Sequence, residues 1–333
     1  MSTKIFFGSH PLGKITDGPL QRMLDRFDLG ELLSSEKTAN GVLGQTMFVS
    51  SSTREYVLKG NPIFQGQFVE EKFFAENLRK RTKVPVPVPY MVDESDDIFG
   101  WPYALMPRLS GHHLTTGDIQ APDQIKMAEL LAEALVELHK WKVDQYGEFN
   151  PETHTVRPFK GSYQSWLYNT IQYWLEDAKK YSEITSKDVG WAEEILDCSR
   201  ETFEHLHSPA FVMGDFKPEN ILFQSGRKGW EVSGVFDFTN SYFGDPVADL
   251  PKMTAFYLDN GEEELARTFL SVYIRNAGIN KDEFVKRFKV HMLHRRMLDW
   301  GCAKAIDQVT WDHDLSFSDW AERFTDSAAN LLN

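Results

Sequence analysis

Apolar residues recur every three to four positions through Leu20, Met23, Leu24 and Phe27, behind Thr16-Asp17 and with Pro19 in the first turn, so the spacing predicts a short opening helix. From Leu32 to Lys59 the pattern changes to short apolar runs. Met47-Phe48-Val49 and Tyr56-Val57-Leu58 read as strands, with Asn40-Gly41 as a turn signal. Helical spacing returns from Phe68 to Leu78 through Phe73 and Phe74. Valine then alternates with proline from Val84 to Pro89, which enforces an extended connector, because each proline excludes helix for itself and its predecessor. Tyr103 to Met106 reads as one more strand, and Pro107 to Gly111 as a linker. Beyond it the periodicity is helical: Ile125 to Lys142, Tyr163 to Tyr181, Trp191 to Leu206, Glu262 to Ala277 and Lys281 to Ile306. The pattern predicts an α+β chain of two lobes, a small strand-rich one over residues 1–107 and a larger, mainly helical one over residues 108–333.

Composition agrees. A chain of 333 residues, 41% hydrophobic and 26% charged, exceeds the usual size of one compact domain. Cys198 and Cys302 form no framework and read as buried fillers in a reducing compartment. No apolar run is long enough for a secretory leader or a membrane span, so a soluble, cytoplasmic protein is expected. A formal net charge of -13 argues against phosphate-neutralising nucleic-acid binding and permits a cationic small molecule.

The chemistry concentrates in Asp215-Phe216-Lys217-Pro218-Glu219-Asn220, followed by the strand-like Ile221-Leu222-Phe223 and Val232 to Phe236, and then Asp237. A hairpin turning near Gly226 would bring Asp215, Asn220 and Asp237 to one end, where their oxygens suit a hard cation. This is the order that a phosphoryl-transfer site needs: a proton acceptor at Asp215 and Mg²⁺ ligands at Asn220 and Asp237, with Lys217 able to approach a γ-phosphate. Asp and Asn also fill turns and caps, so each residue alone has a structural alternative. Upstream, Lys59 ends a strand and Glu71 follows on a helix, a lysine for the nucleotide phosphates and a carboxylate to hold it. Glu70 competes for that role. Between the first strands, Gly41 and Gly44 allow a backbone to approach phosphate, although no Walker sequence occurs. His139, His205, His207, His291 and His294 lack the spacing of a zinc site, and no Gly-x-Ser-x-Gly elbow supports a hydrolase.

Met213-Gly214-Asp215 with Asn220, then Asp237 ahead of Gly244-Asp245-Pro246 and Asp249-Leu250, resembles the aminoglycoside phosphotransferase family, small-molecule kinases of the protein-kinase-like fold. The likeness runs from about Leu33 past Trp300. It looks most like the hygromycin B phosphotransferase branch, through Gly66 to Leu78, Tyr163-Gln164-Ser165-Trp166 and Phe243-Gly244-Asp245. Protein kinases share Asp-x-Lys-Pro-Glu-Asn but continue with Asp-Phe-Gly and Ala-Pro-Glu; here Thr239 follows Phe238 and no Ala-Pro-Glu occurs. The resemblance implies transfer of the γ-phosphate of ATP or GTP to a hydroxyl group. It places the purine edge against the Pro107 carbonyl and the Leu109 N–H, with Met106 behind the pocket, and gives Asp249 to the catalytic-loop backbone. Met213 stands where the family has histidine, a departure compatible with a silent binding protein as well as with an enzyme. An amine-bearing acceptor is expected beside Phe256, Asp299, Trp300 and Asp312, with Asp307, Trp311 and Asp314 nearby; choline, a sugar or a macrolide would use the same catalytic half.

Overall fold

The computed structural model describes residues 12–38, 45–113, 121–204, 206–227 and 229–333. Among these residues five strands form an antiparallel sheet in the order β1-β2-β3-β5-β4: β1 (Leu32–Lys37), β2 (Thr46–Ser51), β3 (Glu55–Gly60), β4 (Met91–Asp93) and β5 (Tyr103–Pro107). In β2 and β3 alternate residues are buried, so Met47, Val49, Tyr56 and Leu58 join the helix α1 (Asp17–Arg26) through Leu20, Met23 and Leu24 in one core. The same alternation points Lys59 to the opposite face. There the helix α2 (Gln67–Arg81) buries Phe74, Ala75 and Leu78 toward the larger lobe, with Glu71 on the same face. Glu70 in the first turn and Arg79, Lys80 and Arg81 in the last complement the helix dipole.

The second lobe holds the helices α3 (Ala121–Leu138), α4 (Tyr163–Ala178), α5 (Ser186–Glu204), α6 (Leu250–Asp259), α7 (Glu263–Ala277), α8 (Lys281–Ala305), α9 (Phe317–Thr325) and α10 (Ser327–Leu332). The expected helix to Lys142 stops at Leu138, because Lys142 enters a β-bridge with Ala210. α5 begins before Trp191 because Thr185 and Asp188 cap each other's backbone N–H reciprocally. Short strands that the periodicity did not predict form a sheet β7-β6-β11-β8: β6 (Gly147–Asn150), β7 (Thr155–Pro158), β8 (Ala210–Val212) and β11 (Tyr242–Gly244). The predicted hairpin is β9 (Ile221–Gly226) with β10 (Gly229–Val235), antiparallel and in register from Ile221–Val235 to Gly226–Gly229 around one bulge. The segment after β5 docks on this hairpin through paired backbone bonds between His112 and Phe223, each 2.8 Å. This is the two-lobed α+β architecture expected from the pattern.

Candidate active site

The loop between β8 and β9 carries Asp215 and Asn220, both 5% exposed. Gly214 has φ +73°, and a Cβ there would sit 2.2 Å from the Asn240 carbonyl, so glycine is required before Asp215. Asp249 accepts from the backbone N–H groups of Met213 and Gly214, both at 2.7 Å, and its Oδ2 lies 3.1 Å from His139 Nε2. Asp249 is thus a support beneath the loop, and the buried Met213 fills core. Asp245 in turn caps the 3-10 turn that carries Asp249, by accepting from Val247 N–H. Burial alone would raise the Asp245 carboxyl, but Arg287 and His291 hold it well below its ordinary value.

Asn220 donates to the Asp215 carbonyl at 2.9 Å and to its Oδ2 at 3.1 Å, which leaves the amide oxygen for another partner. Lys217 Nζ lies 3.0 Å from the same Oδ2. Asp237, at φ +71°, leaves β10 on the other side of the cleft. Burial would raise its carboxyl; Lys59 and Thr239 outweigh that and hold it below its ordinary value. Among the described residues no group of three or more His, Cys, Asp or Glu side chains is placed to hold a metal ion. A cation held by Asn220 and Asp237 would therefore draw its other ligands from phosphate and water, as magnesium does.

Across the cleft, Lys59 Nζ meets Glu71 at 2.9 and 2.7 Å and Asp237 at 3.4 Å. Glu71, 1% exposed, also accepts from Tyr90 O–H at 2.9 Å and from Thr239 O–H at 2.8 Å. Burial opposes the Lys59 charge, yet Asp237 and Glu71 outweigh it and raise the ammonium above its ordinary value. Glu70, the competing candidate, points elsewhere: burial, with Glu71 and Glu148 nearby, pushes its carboxyl up to about 8. A folded-state value above the unfolded one of about 4.3 means that stability is lost as pH rises through that window. Glu70→Gln should therefore raise the unfolding free energy at pH 8 by on the order of 1–3 kcal/mol and leave it nearly unchanged at pH 4, where the carboxyl is protonated in the folded state and mostly so in the unfolded one. Thermal unfolding at the two pH values checks this; equal shifts at both would refute the assignment.

Met106 and Pro107 are buried at the end of β5, and Leu109, half-buried, follows on the linker. Ser233 O–H donates to the Ser110 carbonyl at 2.7 Å, so this linker lies along the hairpin that carries Asn220 and Asp237. Gly41 and Gly44 lie outside the described residues.

The acceptor side differs from expectation. A cavity of about 470 Å³ beside the loop is lined by Lys217, Lys252, Phe256, Arg295, Arg296, Asp299 and Arg323, with Glu219, Asp259 and Trp311. Phe256 is thus a wall residue. Trp300 is not: it is 2% exposed, stacks on Trp311 at 5.3 Å and donates its N–H to Ser182 at 2.8 Å, as a core residue does. Asp312 is exposed, accepts from the Asp314 N–H at 3.0 Å and is not among the residues lining the cavity; Asp307 and Asp314 are not among them either. Asp299 lines the cavity but is already gripped by Arg295 and Arg296. The expected acidic pocket is therefore not assembled.

The pattern of residues did not single out Lys252, which touches Asp215 Oδ1 directly. Burial and Arg295 favour its neutral form, outweigh the opposing Asp299 and lower its ammonium to about 6. It sits in the first turn of α6, where the helix dipole disfavours a cation. That mismatch is the sequence signal that could have marked it.

Comparison with known proteins places this geometry. The chain is 22% identical over 276 residues to rat (Rattus norvegicus) acyl-CoA dehydrogenase family member 11, covering 75% of the chain and 33% of the relative. It is 23% identical over 242 residues to the mouse (Mus musculus) protein, covering 69% and 29%. The chain thus spans about a third of the length of the curated relatives it matches. Among solved structures, the aminoglycoside phosphotransferase APH(4)-Ia superposes with a TM-score of 0.63 at 17% identity, over 96% of this chain and 100% of that one. A GDP complex of aminoglycoside 2'-phosphotransferase-IIIa superposes with a TM-score of 0.62 at 16% identity, over 92% and 96%. These likenesses carry the fold, which is that of protein kinases and aminoglycoside kinases. Residues 36–284 match the phosphotransferase enzyme family. With three quarters of the sequence inside that match, and Asp215, Asn220 and Asp237 within it, the chain belongs to the phosphotransferase enzyme family.

Proposed function

We propose that this protein is a magnesium-dependent kinase that transfers the γ-phosphate of ATP or GTP to a hydroxyl of a small molecule held between the catalytic loop and α8. The observation that carries the reading is the meeting of Lys59, Glu71 and Asp237 in one ion-paired group, facing a loop on which Asp215 and Asn220 are bonded. Residues from distant parts of the chain converge on the parts of a phosphoryl-transfer site.

In this reading Lys59, held by Glu71, binds the nucleotide phosphates, and the end of β5 with Leu109 seats the purine. Asn220 and Asp237 would hold magnesium, which neutralises phosphate charge when bound. Asp215 orients the acceptor hydroxyl and takes its proton. The hydroxyl oxygen forms the new bond to the γ-phosphorus as the bond to the β–γ bridging oxygen breaks, and nucleoside diphosphate leaves. Lys217 lies on the same side as the migrating charge. Lys252 and Asn220 fix the two Asp215 oxygens, so that the carboxylate is oriented before the acceptor arrives. The boundary between the lobes falls after Pro107. Solved relatives by fold support the nucleotide: one is a ternary complex with ADP and hygromycin B, another a GDP complex. The amine-bearing acceptor implied by the first of these is the finer part of the reading, and the cavity chemistry bears on it below.

Asp237→Asn tests the metal site. It should weaken magnesium-dependent nucleotide binding by about tenfold or more, the loss expected for a charge-assisted contact, while the magnesium-free affinity changes little. Calorimetry with and without magnesium measures both. Equal magnesium dependence in variant and parent would remove Asp237 from the metal site.

A further inference from the structure

The acceptor cavity is better supplied with hydrogen-bond donors on cations than with free carboxylates. Lys217, Lys252, Arg295, Arg296 and Arg323 line it, against Glu219, Asp259 and Asp299. The acids are largely spoken for: Asp299 by Arg295 and Arg296, Asp259 by Arg323 at 2.9 Å, and the adjoining Asp215 by Lys217 and Lys252. The guanidinium groups are not exhausted. Each carries five N–H donors. Arg295 spends Nε and Nη2 on Asp299, and Arg296 is 7% exposed with a buried Nε that has no partner among the described residues. A buried donor left unpaired is costly, and a cation in a confined site is costly unless an anion meets it. Burial also works against the charge on Lys252 and Arg296, which a bound anion would favour.

We infer that the acceptor is a hydroxylated anion, whose carboxylate or phosphate group is held by Arg295, Arg296 and Arg323 while its hydroxyl reaches Asp215. A cationic acceptor would have to displace existing ion pairs; an anionic one can accept from the guanidinium N–H groups of Arg295 and Arg323 that Asp299 and Asp259 leave over. Phe256 and Trp311 supply the apolar walls for the carbon skeleton between the two ends. The inference rests on the kinase reading of the same site.

The test uses the full chain with magnesium and a non-hydrolysable ATP analogue, titrated calorimetrically with four compounds on one three-carbon skeleton: glycerate, glycerol 3-phosphate, glycerol and 3-amino-1,2-propanediol. At least one anion should bind about tenfold tighter than both glycerol and the amine, the value of one charge-assisted contact, and should weaken as salt rises. The ranking of the two anions separates carboxylate from phosphate recognition. Arg323→Gln, at an exposed position where the fold is not at risk, should weaken the anions by about tenfold relative to glycerol. Arg296→Gln should do so at least as strongly, with thermal unfolding reporting whether that buried variant folds. Saturable binding of the amine at equal or higher affinity would overturn the inference, as would no saturable anion binding or an anion preference unaltered in Arg323→Gln. Nucleotide affinity in the same samples separates the two ideas. If magnesium nucleotide binds and the anions do not, the inference alone falls; if the nucleotide does not bind, the kinase reading falls.

Discussion

Asp215→Asn is expected to lower turnover by about 10²- to 10⁴-fold, the contribution of a positioned general base. Its carboxylate is the group on which Lys217, Lys252 and Asn220 converge, in a loop whose backbone Asp249 pins from below. The amide keeps the volume and can keep the contact with Asn220, but it cannot take a proton, so the loss should fall on the chemical step. Nucleotide affinity should stay within about twofold, because the phosphate-binding group Lys59, Glu71 and Asp237 is untouched. Single-turnover rates on an accepted substrate, beside nucleotide titrations, separate the two effects. Unchanged turnover would remove Asp215 from the chemistry.

Arg287→Ala should be the most damaging change away from the chemistry, at about 3–5 kcal/mol of stability, because it strips the main cation from a fully buried carboxylate. Asp245 is 0% exposed and accepts from Arg287 Nε at 2.9 Å; His291 Nε2 lies 2.9 Å from the same carboxylate. Arg287 holds the carboxyl low in the folded state, so the stability it supplies is present above the unfolded value of about 3.9 and is lost as pH falls below it. The difference between parent and variant should therefore shrink in acid. Urea unfolding at pH 7 and near pH 3, inside the window where the contribution is lost, measures this. A loss under 1 kcal/mol at pH 7, or one that grows in acid, would contradict the account.

The two sides of the site were not equally legible in the sequence. Asp215, Lys217 and Asn220 lie within six residues, and the hairpin that returns Asp237 to them is announced by two apolar runs around Gly226. Lys59 and Glu71 could be paired because strand alternation and helical spacing fix the face on which each emerges. Glu71, on the helical face that buries Phe74 and Leu78, is the residue the structure pairs with Lys59, and the competing Glu70 is not. The acceptor side was opaque for the opposite reason. Its chemistry comes from α6, α8 and α9, whose packing angles no periodicity encodes, so acids close in sequence were mistaken for acids close in space. Asp312 caps its own turn, and Asp299 is neutralised one helical turn away by Arg295. The short strands β6, β8 and β11, three or four residues each, give too little pattern to read.

The most direct measurement is a crystal structure with manganese, whose anomalous signal marks the metal, and a non-hydrolysable nucleotide. The account predicts manganese coordinated by Asn220 and Asp237, phosphates against Lys59, and the terminal phosphate facing the Asp215 carboxylate across the acceptor cavity. Nucleotide bound outside the cleft between Lys59 and Asp237, or metal held without either Asn220 or Asp237, would contradict it.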